Sequence, residues 1–346
     1  MAAKILVTGG TGYIGSHTTV ELQQAGYDVV IIDNLSNSDI RVLDGIEAIT
    51  GERPQFYEGD CTDLSFLRRI FNENPDIEGV INFAASKAVG ESVEKPLLYY
   101  RNNLVSLMNI LELMPEFGVK GLVFSSSCTV YGEPDVNPID ESAPIKKATS
   151  PYGATKQISE EIIEDVVKSG VPIKSIILRY FNPVGAHPSA LIGELPNGVP
   201  QNLVPYLTQT ACGMRKELTV FGNDYPTPDG SCIRDFIDVV DLAKAHVTAM
   251  RRMLEEKSES GVEIFNLGTG RGLSVLQLID IFRKATGVAV PFKIGPRRAG
   301  DIEQIWANPR RANEVLGWKA LVDPEQTMRN AWKWQCYLSE RGRGQS

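Results

Sequence analysis

Tyr152 and Lys156 lie four positions apart in the segment SPYGATKQISEE. Ser150 can cap a helix, Pro151 suits its first turn, and isoleucine and valine recur at helical spacing over residues 158–167. The two side chains are therefore predicted to share one face of a helix. Most such pairs are exposed or packed without any chemistry, but the same arrangement can prepare a phenol for proton transfer.

The chemistry open to this pair depends on how far the phenol pKa falls. A free tyrosine has a pKa of ~10, and one positive charge about 6 Å away lowers it by about 2 units at an effective dielectric constant of ~20. Lys156 and an oxidised nicotinamide would supply two such charges, against the opposing effect of burial. Ser127 ends a serine-rich strand and can relay a proton to Tyr152. Together, Ser127, Tyr152 and Lys156 form a trio that fits oxidation of an alcohol by hydride transfer to NAD+.

Residues 4–34 predict the site for that cofactor. They read as strand, glycine turn, helix and strand, with Gly9, Gly12 and Gly15 in a GxxGxxG pattern. Such glycines let the backbone approach a pyrophosphate at a helix N-terminus, although the pattern alone also fits a flexible turn. Asp33 follows 18 residues after Gly15 and suits the two hydroxyls of an adenosine ribose. A carboxylate there would repel a 2′-phosphate, so NAD is favoured over NADP.

Further strands alternate with helical stretches along the chain. Strand-like runs cover residues 79–86, 120–127 and 174–185. The alternation predicts an α/β fold, a Rossmann-like doubly wound parallel sheet with a smaller mixed α/β C-terminal substrate domain. From about residue 183 the sequence is dense in proline and glycine, and we expect an irregular functional loop there. The predicted NAD-binding domain is 1–182 plus 238–270, and the predicted substrate-binding domain is 183–237 plus 271–346.

Composition excludes several classes of protein. The 346 residues are 42% apolar with a formal net charge of −8, which argues against a nucleic-acid surface. The five cysteines are scattered and the three histidines have no metal-ligand spacing, so no metal is expected. No apolar run approaches the roughly 20 residues that span a bilayer, and no room is left for a signal peptide before the first strand. We therefore expect a cytoplasmic protein with a small-molecule partner.

A series of ordered motifs resembles the UDP-glucose 4-epimerase family of the extended short-chain dehydrogenase/reductase superfamily. The motifs run along essentially the whole chain: VTGGTGYIGSHT, DNLSNS, KAVGESVEKPL, FSSS, TVYG, SPYG, LRYFNPVGAHPS, FGNDYPT and PRR.GD. The resemblance implies an NAD-dependent isomerase that inverts carbon 4 of a UDP-hexose through a transient 4-keto sugar. The expected substrates are UDP-galactose and UDP-glucose.

The resemblance also implies a role for each matching residue. Ser127, Tyr152 and Lys156 would be catalytic. The expected contacts of NAD are Gly9, Gly12, Tyr13, Ile14, Gly15, Asp33, Asn34, Asn37, Asp60, Cys61, Phe83, Ala84, Lys87, Asn102, Tyr152, Lys156 and Tyr180. The expected contacts of the UDP-sugar are Ser127, Tyr152, Phe181, Asn182, Asn202, Leu203, Phe221, Arg234, Arg298, Asp301 and Ile305.

Two other functions fit parts of the sequence. Nucleotide-sugar dehydratases share the glycine loop, the tyrosine and the lysine, but carry an Asp-Glu pair where this chain has Cys128 and Thr129. Neither residue type can supply the acid and base that elimination of water needs. A non-catalytic NAD or UDP-sugar binding protein is the second alternative, which the intact trio disfavours.

Ile305 bears on the substrate range. In the family, the matching position lies beside the sugar, and a tyrosine there accompanies restriction to UDP-glucose and UDP-galactose. Isoleucine is shorter, so we expect possible secondary activity on UDP-N-acetylhexosamines such as UDP-N-acetylgalactosamine, unless Ile305 simply packs in a core. The family is usually homodimeric, and the helices that follow residues 96 and 151 are the expected contact surfaces.

Overall fold

The computed structural model describes residues 2–298 and 301–343. The strands are β1 (Lys4–Thr8), β2 (Asp28–Asp33), β3 (Gln55–Glu58), β4 (Ile77–Asn82), β5 (Gly121–Ser127), β6 (Lys174–Tyr180), β7 (Asn182–Val184), β8 (Leu218–Phe221), β9 (Ile233–Arg234), β10 (Phe236–Asp238), β11 (Val262–Leu267), β12 (Leu273–Ser274), β13 (Phe292–Gly295) and β14 (Gln304–Ile305). The helices are α1 (Tyr13–Gln24), α2 (Val42–Thr50), α3 (Leu64–Glu73), α4 (Val89–Glu94), α5 (Pro96–Glu116), α6 (Pro151–Lys168), α7 (Leu203–Ala211), α8 (Val239–Leu254), α9 (Val275–Thr286) and α10 (Pro324–Arg343). A 3-10 turn spans Cys128–Tyr131, and a π-helical turn spans Ala312–Leu316.

Seven strands in the described part of the chain form one sheet, in the order β11-β6-β5-β4-β1-β2-β3. All neighbouring pairs in it are parallel. The order of the strands reverses between β1 and β4, so the loops that follow these two strands diverge and leave a crevice at their carboxyl ends. This topology confirms the predicted doubly wound parallel sheet.

Helices cover both faces of this sheet. Ile5 and Val7 of β1 point to the face covered by α1, α2 and α8, and Leu6 between them points to the face covered by α3, α5 and α6. All three side chains are fully buried. Because both faces are covered, the central strands read as continuous apolar runs rather than alternating ones.

The segments after β6, apart from α8, β11 and the π-helical turn, form a second, smaller body. Short sheets pair β10 with β7, β13 with β8, and β12 and β14 with β9. Their apolar side chains join those of α7, α9 and α10 in a separate cluster that includes Val184, Leu207, Phe236, Phe282 and Met328. No helix in the ranges described is long and apolar enough to cross a bilayer.

The segment after residue 182 is more regular than the sequence predicts. The strand-like run predicted over residues 174–185 is divided into β6 and β7, and β7 pairs in parallel with β10 rather than within the main sheet. The last residues of the segment start α7 at Leu203, and Pro205 is tolerated because it lies in the first turn of that helix. Only the stretch between these elements is irregular, with one bridge between Ala186 and Gly193. The pairing with β10 could not be predicted from the local sequence, since the partner strand lies more than 50 residues further along the chain.

Candidate active site

The predicted glycine loop joins β1 to α1 at the central crevice. Gly9 has a φ of +72°, and a Cβ on it would lie 2.9 Å from the backbone nitrogen of Ala84, just after β4. A Cβ on Gly15 would lie 2.3 Å from the carbonyl oxygen of Gly9. Gly12 caps α1 without any side-chain hydrogen bond, so backbone N–H groups alone face outward at the start of the helix. Tyr13 begins α1 and donates to the Gly185 carbonyl at 2.8 Å, while Ile14 is half-buried behind it.

Asp33 ends β2 directly beside this loop. Its carboxylate accepts hydrogen bonds from the Thr11 N–H at 3.2 Å, the Leu35 N–H at 2.9 Å and the Ser38 hydroxyl at 3.1 Å. Asp33 therefore fixes the shape of the glycine loop and of the turn after β2. Neighbouring Asn37 is exposed at that turn.

The residues predicted to bind adenine lie at the end of β3. Asn34 donates to the Asp60 carboxylate at 3.3 Å, and Thr62 donates to it twice at 2.8 Å. Burial opposes ionisation, but these hydrogen bonds outweigh it and lower the pKa of Asp60. Cys61 is buried next to it, and its carbonyl accepts from Asn109 at 3.0 Å.

Ser127, Tyr152 and Lys156 come together where β5 ends and α6 begins. Ser150 caps α6 by accepting from the Gly153 N–H at 3.1 Å, as predicted. The Lys156 Nζ lies 5.9 Å from the centroid of the Tyr152 ring. It donates to the Ser125 carbonyl at 2.6 Å, and Lys156 is only 5% exposed.

The pKa values of Tyr152 and Lys156 in the structure depend on burial as well as on nearby charges. Burial raises the pKa of Tyr152 and the neighbouring Tyr180 raises it further, whereas the hydrogen bond with Ser127 lowers it. Burial also lowers the pKa of Lys156 to about 8, although the charge of Glu160 opposes this. In the protein alone, burial is therefore the largest influence on the pKa of the phenol and on that of the ammonium.

Aromatic and polar side chains lie near the carboxyl ends of β4 and β6. The Tyr180 hydroxyl hydrogen bonds to the Ser125 hydroxyl, and burial raises the pKa of Tyr180 to about 12. Phe83 follows β4 and its ring centroid lies 4.7 Å from that of the buried His246. Asn102, on α5, donates to the Ser86 hydroxyl at 3.0 Å.

The predicted substrate residues lie on the other side of the crevice. Asn182 starts β7, and its N–H donates to the Asp235 carbonyl at 3.0 Å. Asn202 caps α7 just before Leu203, and its side chain donates to the Glu194 carboxylate at 2.6 Å. The same carboxylate lies 4.0 Å from the Lys87 ammonium.

Two arginines and an aspartate form a second predicted group. Arg298 donates to Asp301 at 2.6 Å, and the guanidinium of Arg234 lies 3.6 Å from the same carboxylate oxygen. The Arg298 guanidinium also lies 5.8 Å from the ring centroid of Phe221, which is 42% exposed. Sequence reasoning placed all four at the substrate, and the structure brings them together. Two cations and one carboxylate leave this group with a net positive charge.

Ile305 packs in a small apolar cluster and is 3% exposed. Cys128 and Phe181 belong to the same cluster, and these residues directly follow Ser127 and directly precede Asn182. Ile305 is also paired with Arg234, because β14 pairs with β9. Ile305 is thus a core residue of a cluster that borders the predicted sugar site.

Sequence reasoning missed three residues that contact this site. Glu194 joins Lys87 to Asn202 from an irregular segment, and burial raises the pKa of its carboxyl. Ser125 contacts Lys156 through its backbone carbonyl, and such a backbone contact cannot be predicted from the type of residue. Glu160 lies one helical turn after Lys156 and reads as an ordinary surface acid in the sequence.

The sheet, the glycine loop at its switch point and the serine-tyrosine-lysine trio define a dinucleotide-binding enzyme of the short-chain dehydrogenase/reductase class. The chain belongs to the NAD-dependent epimerase/dehydratase family, whose model matches residues 5–268.

Similar proteins cover almost the whole chain. The UDP-glucose 4-epimerases of Neisseria meningitidis serogroup B and Bacillus subtilis are each 50% identical over 331 residues, which is 96% of both chains in each comparison. A crystal structure of UDP-glucose-4-epimerase from Stenotrophomonas maltophila, with bound NAD and formylated UDP-arabinopyranose, is 48% identical with a TM-score of 0.94 and covers 98% of this chain and 99% of its own. The Bifidobacterium longum enzyme, in complex with NAD+ and UDP, is 46% identical with a TM-score of 0.92 and covers 96% and 98%.

Proposed function

We propose that this protein is an NAD-dependent UDP-glucose 4-epimerase that interconverts UDP-galactose and UDP-glucose. One observation carries the proposal: the trio stands at the end of β5, and Cys128, directly after Ser127, packs with Ile305, which is paired with Arg234 of a cationic group suited to a diphosphate. Relatives of the same name that match nearly the whole chain support it. Carbon 4 of a hexose has no acidic proton, so inversion of this carbon requires oxidation to a ketone followed by reduction.

The residues at the crevice fit NAD. A Cβ on Gly15 would meet the Gly9 carbonyl, so glycine keeps α1 packed closely against the loop, and the start of α1, where no side chain caps the N–H groups, suits a pyrophosphate. Asp33 and Asn37 would hold the adenosine ribose, Asp60 and Cys61 the adenine, and Lys156 the second ribose. When bound, NAD accepts the hydride from carbon 4 and returns it.

The trio would move the hydroxyl proton. Ser127 links Tyr152 to the 4-hydroxyl, and Tyr152 takes the proton as the carbon is oxidised and returns it after reduction. Burial raises the Tyr152 pKa in the protein alone, so the positive charges of Lys156 and of a bound oxidised nicotinamide would help to bring it down.

The opposite wall would hold UDP while the sugar turns. Arg234 and Arg298 would bind the diphosphate with Asn182 and Asn202, Phe221 would lie by the uridine, and Asp301 would bind its ribose. Phe181, Leu203 and Ile305 would border the sugar, and Tyr13, Ile14, Asn34, Phe83, Ala84, Lys87, Asn102 and Tyr180 would line the cofactor. A firmly anchored UDP and few hexose contacts would let the ketone present its other face.

Dehydration, the alternative within the same family, fits the residues less well. Burial raises the pKa of the Cys128 thiol to about 12, and Thr129 carries only a hydroxyl. Elimination of water needs an acid and a base beside carbons 5 and 6 of the sugar, and neither side chain can act as one near neutral pH.

A direct test of the proposed function uses the purified protein without added NAD. UDP-galactose and UDP-N-acetylgalactosamine are incubated separately and the anomeric proton signals are followed by NMR. We expect conversion of UDP-galactose to UDP-glucose. If no conversion occurs even after NAD is supplied, the epimerase proposal is wrong, and the dehydratase and non-catalytic alternatives take its place.

Ile305 should set the substrate range. Ile305→Ala would open space beside the sugar, and we expect the ratio of kcat/KM for UDP-N-acetylgalactosamine over UDP-galactose to rise about tenfold. Ile139→Ala is the matched control, since Ile139 is 1% exposed in the same cluster. Both variants should lose stability, by about 2–5 kcal/mol. Equal ratios in the two variants would show that Ile305 only fills the core.

The exposed face of α5 is proposed as a homodimer surface, together with α6. On α5, Leu97 is 78% exposed and Leu98 is 49% exposed. Leu97→Glu should convert a dimer into a monomer, measured by size-exclusion chromatography with light scattering. Leu321→Glu is the control, because Leu321 is equally exposed elsewhere. A wild-type monomer, or a Leu97→Glu dimer, contradicts this assignment.

The division into two domains belongs to the same proposal. Residues 1–182 plus 238–270 would bind NAD, and residues 183–237 plus 271–346 would bind the UDP-sugar. The apolar cluster shared by α7, α9 and α10 supports this division. Its buried members lie between Val184 and Ala331, and none of them belongs to α8 or β11. A cytoplasmic location is likewise proposed, in keeping with five cysteines that are spaced without any disulfide pattern.

A further inference from the structure

A buried ion pair lies directly behind the trio. Arg179 of β6 donates to the Glu160 carboxylate of α6 from Nε at 3.0 Å and from a terminal nitrogen at 2.5 Å. The two side chains are only 5% and 7% exposed. Neither residue is among those assigned above to cofactor, substrate or proton transfer.

The ion pair belongs to a set of contacts between α6 and the end of β5. Three consecutive residues of β5 each contact one residue of α6. The Ser125 carbonyl accepts from Lys156 and the Ser126 hydroxyl donates to Glu160, while the Ser127 hydroxyl lies close enough to Tyr152 to lower the pKa of the phenol. Glu160 therefore makes the middle one of three contacts, and the outer two are those of the catalytic residues.

Arg179 extends the contact to the other side of the strand end. It donates to the Tyr131 hydroxyl at 3.0 Å, and Tyr131 donates to the Asn266 side chain at 2.7 Å. Tyr131 closes the 3-10 turn that directly follows Ser127. The pair thus joins α6, β6, β11 and the turn after β5 at one buried point.

We propose that Glu160 and Arg179 are positioning residues for the epimerase reaction, fixing the rotation and register of α6 against β5 so that Tyr152 and Lys156 meet Ser127. The inference rests on the function proposed above. A buried ion pair is rarely retained for stability alone, because apolar residues of similar volume are often equally stabilising. This pair restricts the orientation of α6. The planar guanidinium binds the carboxylate in one orientation, whereas an apolar contact would let the helix rotate.

The chain contains a matched control for this inference. Arg252 of α8 and Glu263 of β11 form a second two-pronged pair, with distances of 2.8 and 2.9 Å and side chains that are 11% and 1% exposed. Glu263 lies near the start of β11, whereas the trio lies at the opposite, carboxyl edge of the sheet. Breaking either pair leaves a buried arginine without its partner, but only one pair touches α6.

The test compares Glu160→Gln with Glu263→Gln in steady-state epimerisation of UDP-galactose, alongside thermal unfolding. Both should lower the melting temperature. Glu160→Gln should lower kcat about tenfold or more while KM stays within about twofold, because the proton-transfer geometry changes and the diphosphate contacts do not. Glu263→Gln should keep kcat within about twofold of the wild type.

A second variant covers the case in which Glu160→Gln does not fold. Glu160→Leu combined with Arg179→Met removes both charges at similar volume, and it should fold yet show the same loss of kcat. The inference is overturned if kcat is retained in the variants of this pair that fold, or if Glu263→Gln loses kcat equally. A wild-type protein that does not convert UDP-galactose contradicts the proposed function instead, so the two failures are distinct.

Discussion

Tyr152→Phe should lower kcat for UDP-galactose by about 10³-fold, since general acid–base catalysis contributes about 10²–10⁴-fold. Phenylalanine keeps the ring near the Lys156 ammonium, 5.9 Å from its centroid in the wild type, and removes only the hydroxyl. Bound NAD should therefore remain, and KM should change little. The measurement is the initial rate by proton NMR or a coupled assay, together with the NAD released when the variant is denatured.

Tyr27→Phe serves as the matched control for this substitution. Tyr27 packs against the core on the opposite, amino-terminal edge of the sheet, before β2. Its loss of a hydroxyl should leave kcat unchanged. A Tyr152→Phe protein with the full rate would refute the assignment of Tyr152 as the group that carries the proton.

Gly15→Ala should remove most of the retained NAD and lower the free energy of unfolding by about 3 kcal/mol, as overpacking does when backbone must move. The added Cβ would lie 2.3 Å from the Gly9 carbonyl oxygen and 2.9 Å from the Gly10 Cα. These are backbone atoms of the cofactor loop, so relief of the clash must deform the loop itself. Released NAD and thermal unfolding are both measured on the purified variant.

Gly90→Ala provides the comparison for Gly15→Ala. A Cβ on Gly90 would have nothing within 4 Å, and the residue lies in α4. Alanine there should leave NAD content unchanged and should stabilise the helix by up to about 1 kcal/mol. If Gly15→Ala retains as much NAD as Gly90→Ala, the loop backbone does not form the cofactor cradle.

The sequence predicts the parts of this molecule that depend on local patterns. The apolar runs of the central strands, the glycine turn after β1 and the capped start of α6 at Ser150 are all visible in short windows, because burial and capping act over a few residues. The seven-stranded parallel sheet confirms the predicted fold class. The motifs also carried the assignment of the family.

Contacts between distant segments could not be predicted in this way. Glu160 and Arg179 are 19 residues apart and lie on different elements, and Tyr131 meets Asn266 across 135 residues. β7 forms only because β10 pairs with it. In each case tertiary packing determines the partner, and no spacing in the sequence predicts it.

The pKa of Tyr152 shows a different limit. Charges can be counted from a sequence, but the degree of burial cannot, and here burial is the largest influence on the phenol. The lysine that should activate it is itself buried and directed at the Ser125 carbonyl. An estimate from residue types alone therefore identifies charges that can act on the phenol, but not the extent of the burial that opposes them.

The position of β11 has a consequence for how the chain is made. This strand covers the outer edge of β6 through six residue pairs, yet it is supplied by residues 262–267, after β7–β10 and α7 of the smaller body. During synthesis, β6 must emerge long before its partner and present an unpaired, apolar edge in the meantime. A nascent chain that stalls before Val262 exposes an edge able to pair with another chain, so its folding demands protection that the finished molecule no longer needs.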